Sequence, residues 1–258
     1  MGEADARLVE LLTAARRILV FTGAGISTGS GIPDYRGPQG TWKTREPVYF
    51  QDFMSSHEAR IEYWDQKLET WPQIRDAECN ATHQAIARLD RAGTMLLLVT
   101  QNIDGLHEKA GVTPDHLVEL HGSNLKVECM TCHDTSDPQA HFEQFEQTRQ
   151  PPECRCGGYL KPATISFGQS LKEDDLRRAF AAAEEADLVI ALGSSLTVHP
   201  AASIPLAAAQ RGTPYVIINR GVTEHDGYAG VTLRLDGDVA ALLPPAVAAA
   251  CAGDGHGG

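Results

Sequence analysis

The chain is most informative first in what it lacks. No apolar run approaches the roughly 18 residues that a membrane-spanning helix needs. Positive charge is scarce. The 258 residues carry 22 Lys and Arg against 34 Asp and Glu, a formal charge of −12 at pH 7. Binding along a phosphate backbone needs a basic face, and docking on anionic membranes needs clustered cations. Direct nucleic-acid and membrane partners are therefore not expected, whereas basic peptides suit the charge. No Lys/Arg-rich run supplies a nuclear address. Met1 to Asp5 is acidic and has no signal-peptide apolar stretch. Ala6 stands where a myristoylation signal after Met1-Gly2 would carry Ser or Thr. There is no internal repeat. A soluble, cytoplasmic protein is expected. There the six cysteines would stay reduced, so clustered ones point to metal more than to disulfides.

What is present is a 42% apolar composition, enough for a real core. It contains six short apolar runs that end in small or polar residues. Ile18–Phe21 leads into Thr22-Gly23-Ala24-Gly25, Leu96–Val99 into Thr100–Asp104, and Leu117–Leu120 into His121-Gly122. Ile165–Phe167 leads into Gly168-Gln169, Leu188–Leu192 into Gly193-Ser194-Ser195, and Tyr215–Ile218 into Asn219-Arg220. Apolar runs separated by helix-length segments read as buried strands of a parallel sheet with helices on both faces. Ligands of such sheets bind beyond the carboxyl ends of the strands. Six polar clusters are thus expected to converge on one crevice. The strand pattern lapses over 45–75, which reads as a helical insertion. It lapses again over 125–159, a cysteine-bearing small module. Residues 1–44, 76–124 and 160–246 form the main domain, and 247–258 is expected to be a flexible tail.

Each cluster has a chemical reading and a plainer one. Glycines at 23 and 25 would let backbone N–H groups approach a phosphate. Thr28 replaces the third glycine of the usual dinucleotide fingerprint, and alone this is equally a strand-to-helix turn. Cys129, Cys132, Cys154 and Cys156 suit tetrahedral zinc with no open position, hence a structural site. The spacing departs from the common template, with one residue between the second pair. His121 stands directly at a strand end, where a histidine near neutrality can take a proton. His199 and His225 lie near other loops and are the runners-up. Asn102 and Asp104 could pair with an amide-bearing ring or cap a loop. Asp34 and Arg36 carry the same ambiguity.

Together these motifs resemble the sirtuin family, the NAD-dependent protein deacylases, over about Leu8 to Leu243. The resemblance rests on Gly23–Ser27, Gly31–Arg36, Thr100–Asp104, His121-Gly122, the four cysteines, Phe167-Gly168 and Gly193–Leu196. It implies a Rossmann-like domain and a small zinc-ribbon module, with NAD and an acyl-lysine protein or peptide meeting between them. Gly23, Ala24, Gly25, Thr28, Asp34, Tyr35 and Arg36 would line the diphosphate and nicotinamide-ribose region. Gln101, Asn102, Ile103 and Asp104 would hold the ribose and the carboxamide. Gly193, Ser194, Ser195, Asn219 and Arg220 would bind the adenosine half, with Asp238 and Val239 near adenine. Phe167, Gly168 and Val198 would flank the substrate. The implied reaction consumes NAD. His121 acts as general base on a ribose hydroxyl with Asn102 beside it, and the products are lysine, nicotinamide and O-acyl-ADP-ribose. Zinc would be structural.

Some residues depart from the family pattern. Gln169 replaces a common Glu, and Tyr35-Arg36-Gly37 replaces the more usual Phe-Arg-Ser. Members that prefer succinyl-lysine present Tyr and Arg three residues apart. Here Tyr63 is followed at that spacing by Gln66, with Lys67 only a partial substitute, so neutral acyl groups are expected. Mono-ADP-ribosyl transfer at the same NAD site is the competing activity, and a non-enzymatic NAD-binding module is the third. Oligomeric state, chain-length preference and protein substrates are left open.

Overall fold

The computed structural model describes residues 2–34 and 46–253. In chain order the elements are α1 (Glu3–Ala14), β1 (Ile18–Thr22), α2 (Phe50–Ser55), α3 (His57–Asp76), α4 (Ala81–Arg91), β2 (Met95–Thr100), α5 (Leu106–Lys109) and β3 (Leu117–Glu119). They continue with β4 (Gly122–Cys129), β5 (Thr135–Ser136), α6 (Gln139–Thr148), β6 (Leu160–Thr164), α7 (Glu173–Glu185), β7 (Leu188–Leu192), α8 (Ser203–Gln210), β8 (Tyr215–Asn219), β9 (Val231–Asp236) and α9 (Val239–Gly253).

Six strands form one parallel sheet in the order β3-β2-β1-β7-β8-β9. Period-2 alternation sends Ile18 and Val20 to one face and Leu19 and Phe21 to the other, and all four are fully buried. The first face packs on Leu8 and Leu12 of α1, Ile86 and Leu89 of α4, and Leu243 and Val247 of α9. The second packs on Ala179 and Ala183 of α7 and Ile204 and Ala208 of α8. The chain runs outward from β1 to β3, then returns and runs outward the other way from β7. The boundary between β1 and β7 is the switch point at which doubly wound folds bind dinucleotides.

The second lobe holds a three-stranded antiparallel sheet, β5-β4-β6. Helices α3 and α6 close over it. Trp64 of α3 donates its indole N–H to the Leu160 carbonyl at 3.2 Å. Trp71 stacks on Phe142 of α6, with ring centroids 4.6 Å apart. The helical insertion and the cysteine-bearing segment thus share one core.

Three expectations are corrected. Ile165–Phe167 is not a strand of the parallel sheet. The chain there leaves β6, which belongs to the small sheet, and the Ile165 N–H donates to the His121 carbonyl at 2.8 Å. A run of three apolar residues carries no periodicity to distinguish these outcomes. The sixth strand is instead β9, an edge strand whose half-exposed alternation hides it from a search for apolar runs. The tail expected from 247 is helical through Gly253, with Val247 fully buried and Ala250 5% exposed. Pro244 and Pro245 lie inside that helix. Their cost, about 3 kcal/mol each in a helix interior, is offset by burying Val239, Leu243 and Val247 at about 2 kcal/mol apiece.

Candidate functional site

The β1–β7 boundary is built of glycine against glycine. Gly23 N–H donates to the Leu192 carbonyl at 3.0 Å, and Gly25 N–H to the Gly193 carbonyl at 2.9 Å. A Cβ at Gly25 would sit 2.8 Å from that carbonyl oxygen. Gly193 adopts φ +60, and a Cβ there would sit 2.6 Å from the Ile26 nitrogen. The two loops meet so closely that only glycine fits at either place. The start of α4 fixes the loop that follows β1. The Asn80 side chain caps α4 by accepting from Thr82 N–H, and its amide donates to the Ile26 carbonyl at 2.8 Å and to Ser30 Oγ at 3.0 Å.

These loops open into a cleft of about 550 Å³ between the lobes. Of the residues expected from sequence, Ala24, Gly25 and Asp34 line it from the β1 side, and Gln101, Asn102, Ile103 and His121 from the β2 and β3 ends. Gly193, Ser194, Ser195, Asn219 and Arg220 line it from the β7 and β8 ends, joined by Val198 from the segment between β7 and α8 and by Phe167 and Gly168, which follow β6. Gly23 and Thr28 do not line it, and the Thr28 hydroxyl bonds the Gly25 carbonyl at 3.1 Å. Tyr35 and Arg36 lie outside the described residues. The Val239 side chain, at the first position of α9, is buried in the core and does not line the cleft. Asp238 also stands back from the cleft. It accepts from Ala240 N–H at the start of α9 and pairs with Arg220 at 3.1 Å.

Behind the cleft wall, Asp104 is 5% exposed and acts through others. Ser27 Oγ donates to Asp104 Oδ2 at 2.7 Å and accepts from Asn102 Nδ2 at 3.2 Å. Asp104 Oδ1 also accepts from Leu106 N–H at 3.0 Å. The Asn102 amide is thereby oriented, and its Oδ1 has no partner among the described residues. Ser27 lies inside the quoted glycine motif, but its role was not foreseen. An Asp and an Asn flanking one residue do not reveal which distant hydroxyl joins them.

Gln101 is the hub of the reactive end. Its N–H donates to the Thr22 carbonyl at 2.9 Å, and its Oε1 accepts from Ser194 Oγ at 2.8 Å. Its carbonyl lies 3.1 Å from His121 Nδ1. A carbonyl only accepts, so Nδ1 carries the hydrogen and the neutral imidazole keeps its lone pair on Nε2. Burial holds the His121 pKa below the usual 6.5, partly opposed by that backbone hydrogen bond. At neutral pH His121 is therefore a base with its acceptor nitrogen assigned.

The four expected zinc ligands come together in the small lobe. Their Sγ atoms lie within 4.8 Å of one another, with Cys129 to Cys156 at 3.5 Å and Cys132 to Cys154 at 3.7 Å. Four thiolates around zinc at 2.3 Å stand about 3.8 Å apart, whereas a disulfide needs about 2.05 Å. The donor set fits tetrahedral zinc. Gly157 at φ +83 turns the second loop, and a Cβ at Gly158 would sit 2.6 Å from Cys129 Sγ. None of the four lines the cleft.

The fold and cleft define a doubly wound dinucleotide-binding protein with a four-cysteine metal module. The family model described as the Sir2 family matches residues 23–200. The NAD-dependent protein deacetylase 1 of Bradyrhizobium diazoefficiens is 41% identical over 230 residues, covering 89% of this chain and 91% of that protein. A solved Sir2 structure with a p53 peptide and NAD superposes with TM-score 0.83 at 34% identity, covering 93% of this chain and 95% of that one. Another, with deacetylated p53 peptide and 3′-O-acetyl-ADP-ribose, superposes with TM-score 0.81 at 33% identity, covering 92% and 94%. The chain belongs to the Sir2 family. Among the described residues, no helix is long and apolar enough to cross a membrane.

Proposed function

We propose that the cleft removes acyl groups from lysine side chains of proteins in an NAD-dependent reaction. The observation that carries this is the His121 tautomer: a neutral imidazole whose acceptor nitrogen has no partner among the described residues, in the crevice that the glycine loops build for a dinucleotide. When bound, NAD supplies an electrophilic ribose carbon, as nicotinamide leaves, and a hydroxyl to receive the acyl group. Ala24, Gly25 and Gly193 would bring backbone against the diphosphate at the cleft wall, with Gly23 packing the two loops together behind them. Asn102, set by Ser27 and Asp104, presents its Oδ1 to the carboxamide-bearing end. His121 takes a ribose hydroxyl proton at Nε2. Phe167 and Val198 exclude water from the lysine stem. Zinc, held by Cys129, Cys132, Cys154 and Cys156, supports the small-lobe wall and takes no part in the chemistry.

Deacylation is favoured over mono-ADP-ribosyl transfer because a base beside the ribose hydroxyl serves acyl transfer and is little needed for direct ribosyl transfer. A neutral acyl group is favoured as well. Lys67 lines the cleft, but burial disfavours its ammonium form and its Nζ donates to Asn124 Oδ1 at 3.2 Å. Gln66 is engaged by the Glu46 carbonyl and Glu62. The reduced cysteines and acidic surface suit a cytoplasmic protein acting on acyl-lysine proteins, with no direct role for nucleic acid or membrane.

The test is incubation with acetyl-lysine peptide, with and without NAD, followed by mass spectrometry. Deacetylation with equal nicotinamide release, only with NAD and lost in His121→Ala, supports the reading. Nicotinamide release with the acetyl group intact and ADP-ribose on protein refutes it. Equal turnover of succinyl and acetyl peptides refutes the acyl preference alone.

A further inference from the structure

Asn219, Arg220 and Val222 line the cleft at the end of β8, and Val222 is 84% exposed. The segment from 219 to 226 belongs to no helix or strand beyond Asn219. An irregular segment at a binding cleft would ordinarily be loose, so what fixes it matters. One side chain does most of this. Arg234 reaches over from β9 and donates to the carbonyls of Asn219 (3.0 Å) and Gly221. Its Nε donates to Asp226 Oδ1 at 2.8 Å. Asp226 in turn accepts from Thr223 N–H at 3.1 Å and from the Thr223 hydroxyl. Both members of the ion pair are largely shielded, with side chains 22% and 28% exposed. Two further ties complete the frame: Gly221 N–H to Asp236 Oδ1 at 2.9 Å, and Glu224 N–H to the Ser195 carbonyl at 3.0 Å.

We propose that Arg234 is a positioning residue for the adenosine end of NAD, acting through Asn219 and the 219–226 segment and touching no substrate itself. This rests on the NAD reading above. The rigid fork of a guanidinium can serve three acceptors that point different ways, which an ammonium on a flexible stem cannot hold together. The sheet order gives the reason for the adenosine end. His121 follows β3 and Asn219 ends β8, four strand intervals apart, or about 19 Å. A dinucleotide laid across the switch point places its two halves at these ends. A fault at Arg234 therefore weakens NAD binding and leaves the chemistry at His121 alone.

The experiment is calorimetric titration of ADP-ribose and of AMP into wild type, Arg234→Gln and Arg234→Lys, with steady-state kinetics on an acetyl-lysine peptide. Expected for Arg234→Gln is a Kd for both nucleotides raised about tenfold or more and a KM for NAD raised in parallel. The kcat at saturating NAD should stay within about twofold, and the peptide KM and nicotinamide inhibition should not move. Arg234→Lys recovers part of the loss. If Arg234→Gln folds poorly, Asp226→Asn, which keeps the guanidinium, should show the same pattern in weaker form. Wild-type nucleotide affinity in both Arg234→Gln and Asp226→Asn overturns the proposal, as does a fall in kcat with unchanged KM for NAD. Failure of the wild type to bind ADP-ribose would instead count against the NAD reading.

Discussion

Lys161 offers a sharp physical test of the small lobe. Its side chain is fully buried in β6, yet among the described residues its Nζ has only carbonyl oxygens as hydrogen-bond partners, those of Pro162 and Thr164. The Tyr63 ring lies 5.3 Å from this amine. Burial pushes the Lys161 pKa down from 10.5 to about 7, only partly opposed by Glu128. A lysine depressed in the folded state is protonated on unfolding, so the unfolded chain binds more protons and stability rises with pH between about 7 and 10.5. At 1.36 kcal/mol per unit, the penalty is about 3 kcal/mol at pH 8 and under about 1 kcal/mol at pH 10. Replacing Lys161 with Met removes that penalty. It also removes two neutral hydrogen bonds, a loss of about 1 kcal/mol each that does not depend on pH. The variant should therefore match or exceed wild type at pH 8 and fall below it at pH 10, a swing of about 2.5 kcal/mol. Guanidinium unfolding of both zinc-loaded proteins at the two pH values measures this, and cysteine and other titrations common to both cancel in the difference. A difference that stayed constant from pH 8 to pH 10 would mean that the folded protein holds this amine charged, and the reasoning would fail.

Other consequences can be measured directly. Burial lowers the His121 pKa from its usual 6.5, so the base protonates at a lower pH than an unperturbed histidine. The acid limb of kcat/KM should therefore fall below the pH expected of an unperturbed histidine, and a limb above 6.5 would contradict the burial argument. Gly193→Ala forces a side chain into φ +60 against the Ile26 backbone. A cost of about 2–5 kcal/mol and loss of ADP-ribose binding are expected from strain plus overpacking, and a wild-type melting temperature would rule out the close approach. Chelation at 37 °C should release one zinc per chain and lower the melting temperature, with nucleotide-independent loss of near-ultraviolet signal from Trp64 and Trp71, which share the lobe. Unchanged tryptophan signal after zinc release would separate the metal from that core.

The parts of this protein legible in its sequence are those where one local pattern has one structural outcome. β1, β2, β7 and β8 are buried on both faces, so they read as unbroken apolar runs, and a polar residue at the end of such a run has nowhere to go but the crevice. That logic located Gly25, Asn102, His121 and Ser194 without reference to any long-range contact. The four cysteines were legible because thiolates at short spacing have few other uses in a reduced chain. Illegible were the residues whose role depends on what packs against them. The Ala/Gly-rich stretch from 247 was expected to be a flexible tail, but the buried stripe of Val239, Leu243 and Val247 carries α9 past Pro244 and Pro245. Val239 was expected near adenine from the family resemblance alone, and that its side chain packs into the same core is not legible from the sequence around it. Ile165–Phe167 looked like a further strand of the main sheet, but the pairing of β6 with β4 takes the chain into the other lobe. Asn80, Ser27 and Arg234 are the most telling. Each is an ordinary polar residue for its local element: a helix cap, a turn serine, an alternating position on an edge strand. Each holds a cleft loop through a hydrogen bond that spans at least 13 positions in sequence. Local chemistry therefore names the groups that meet the ligand, whereas the groups that orient them become visible only once the chain has folded.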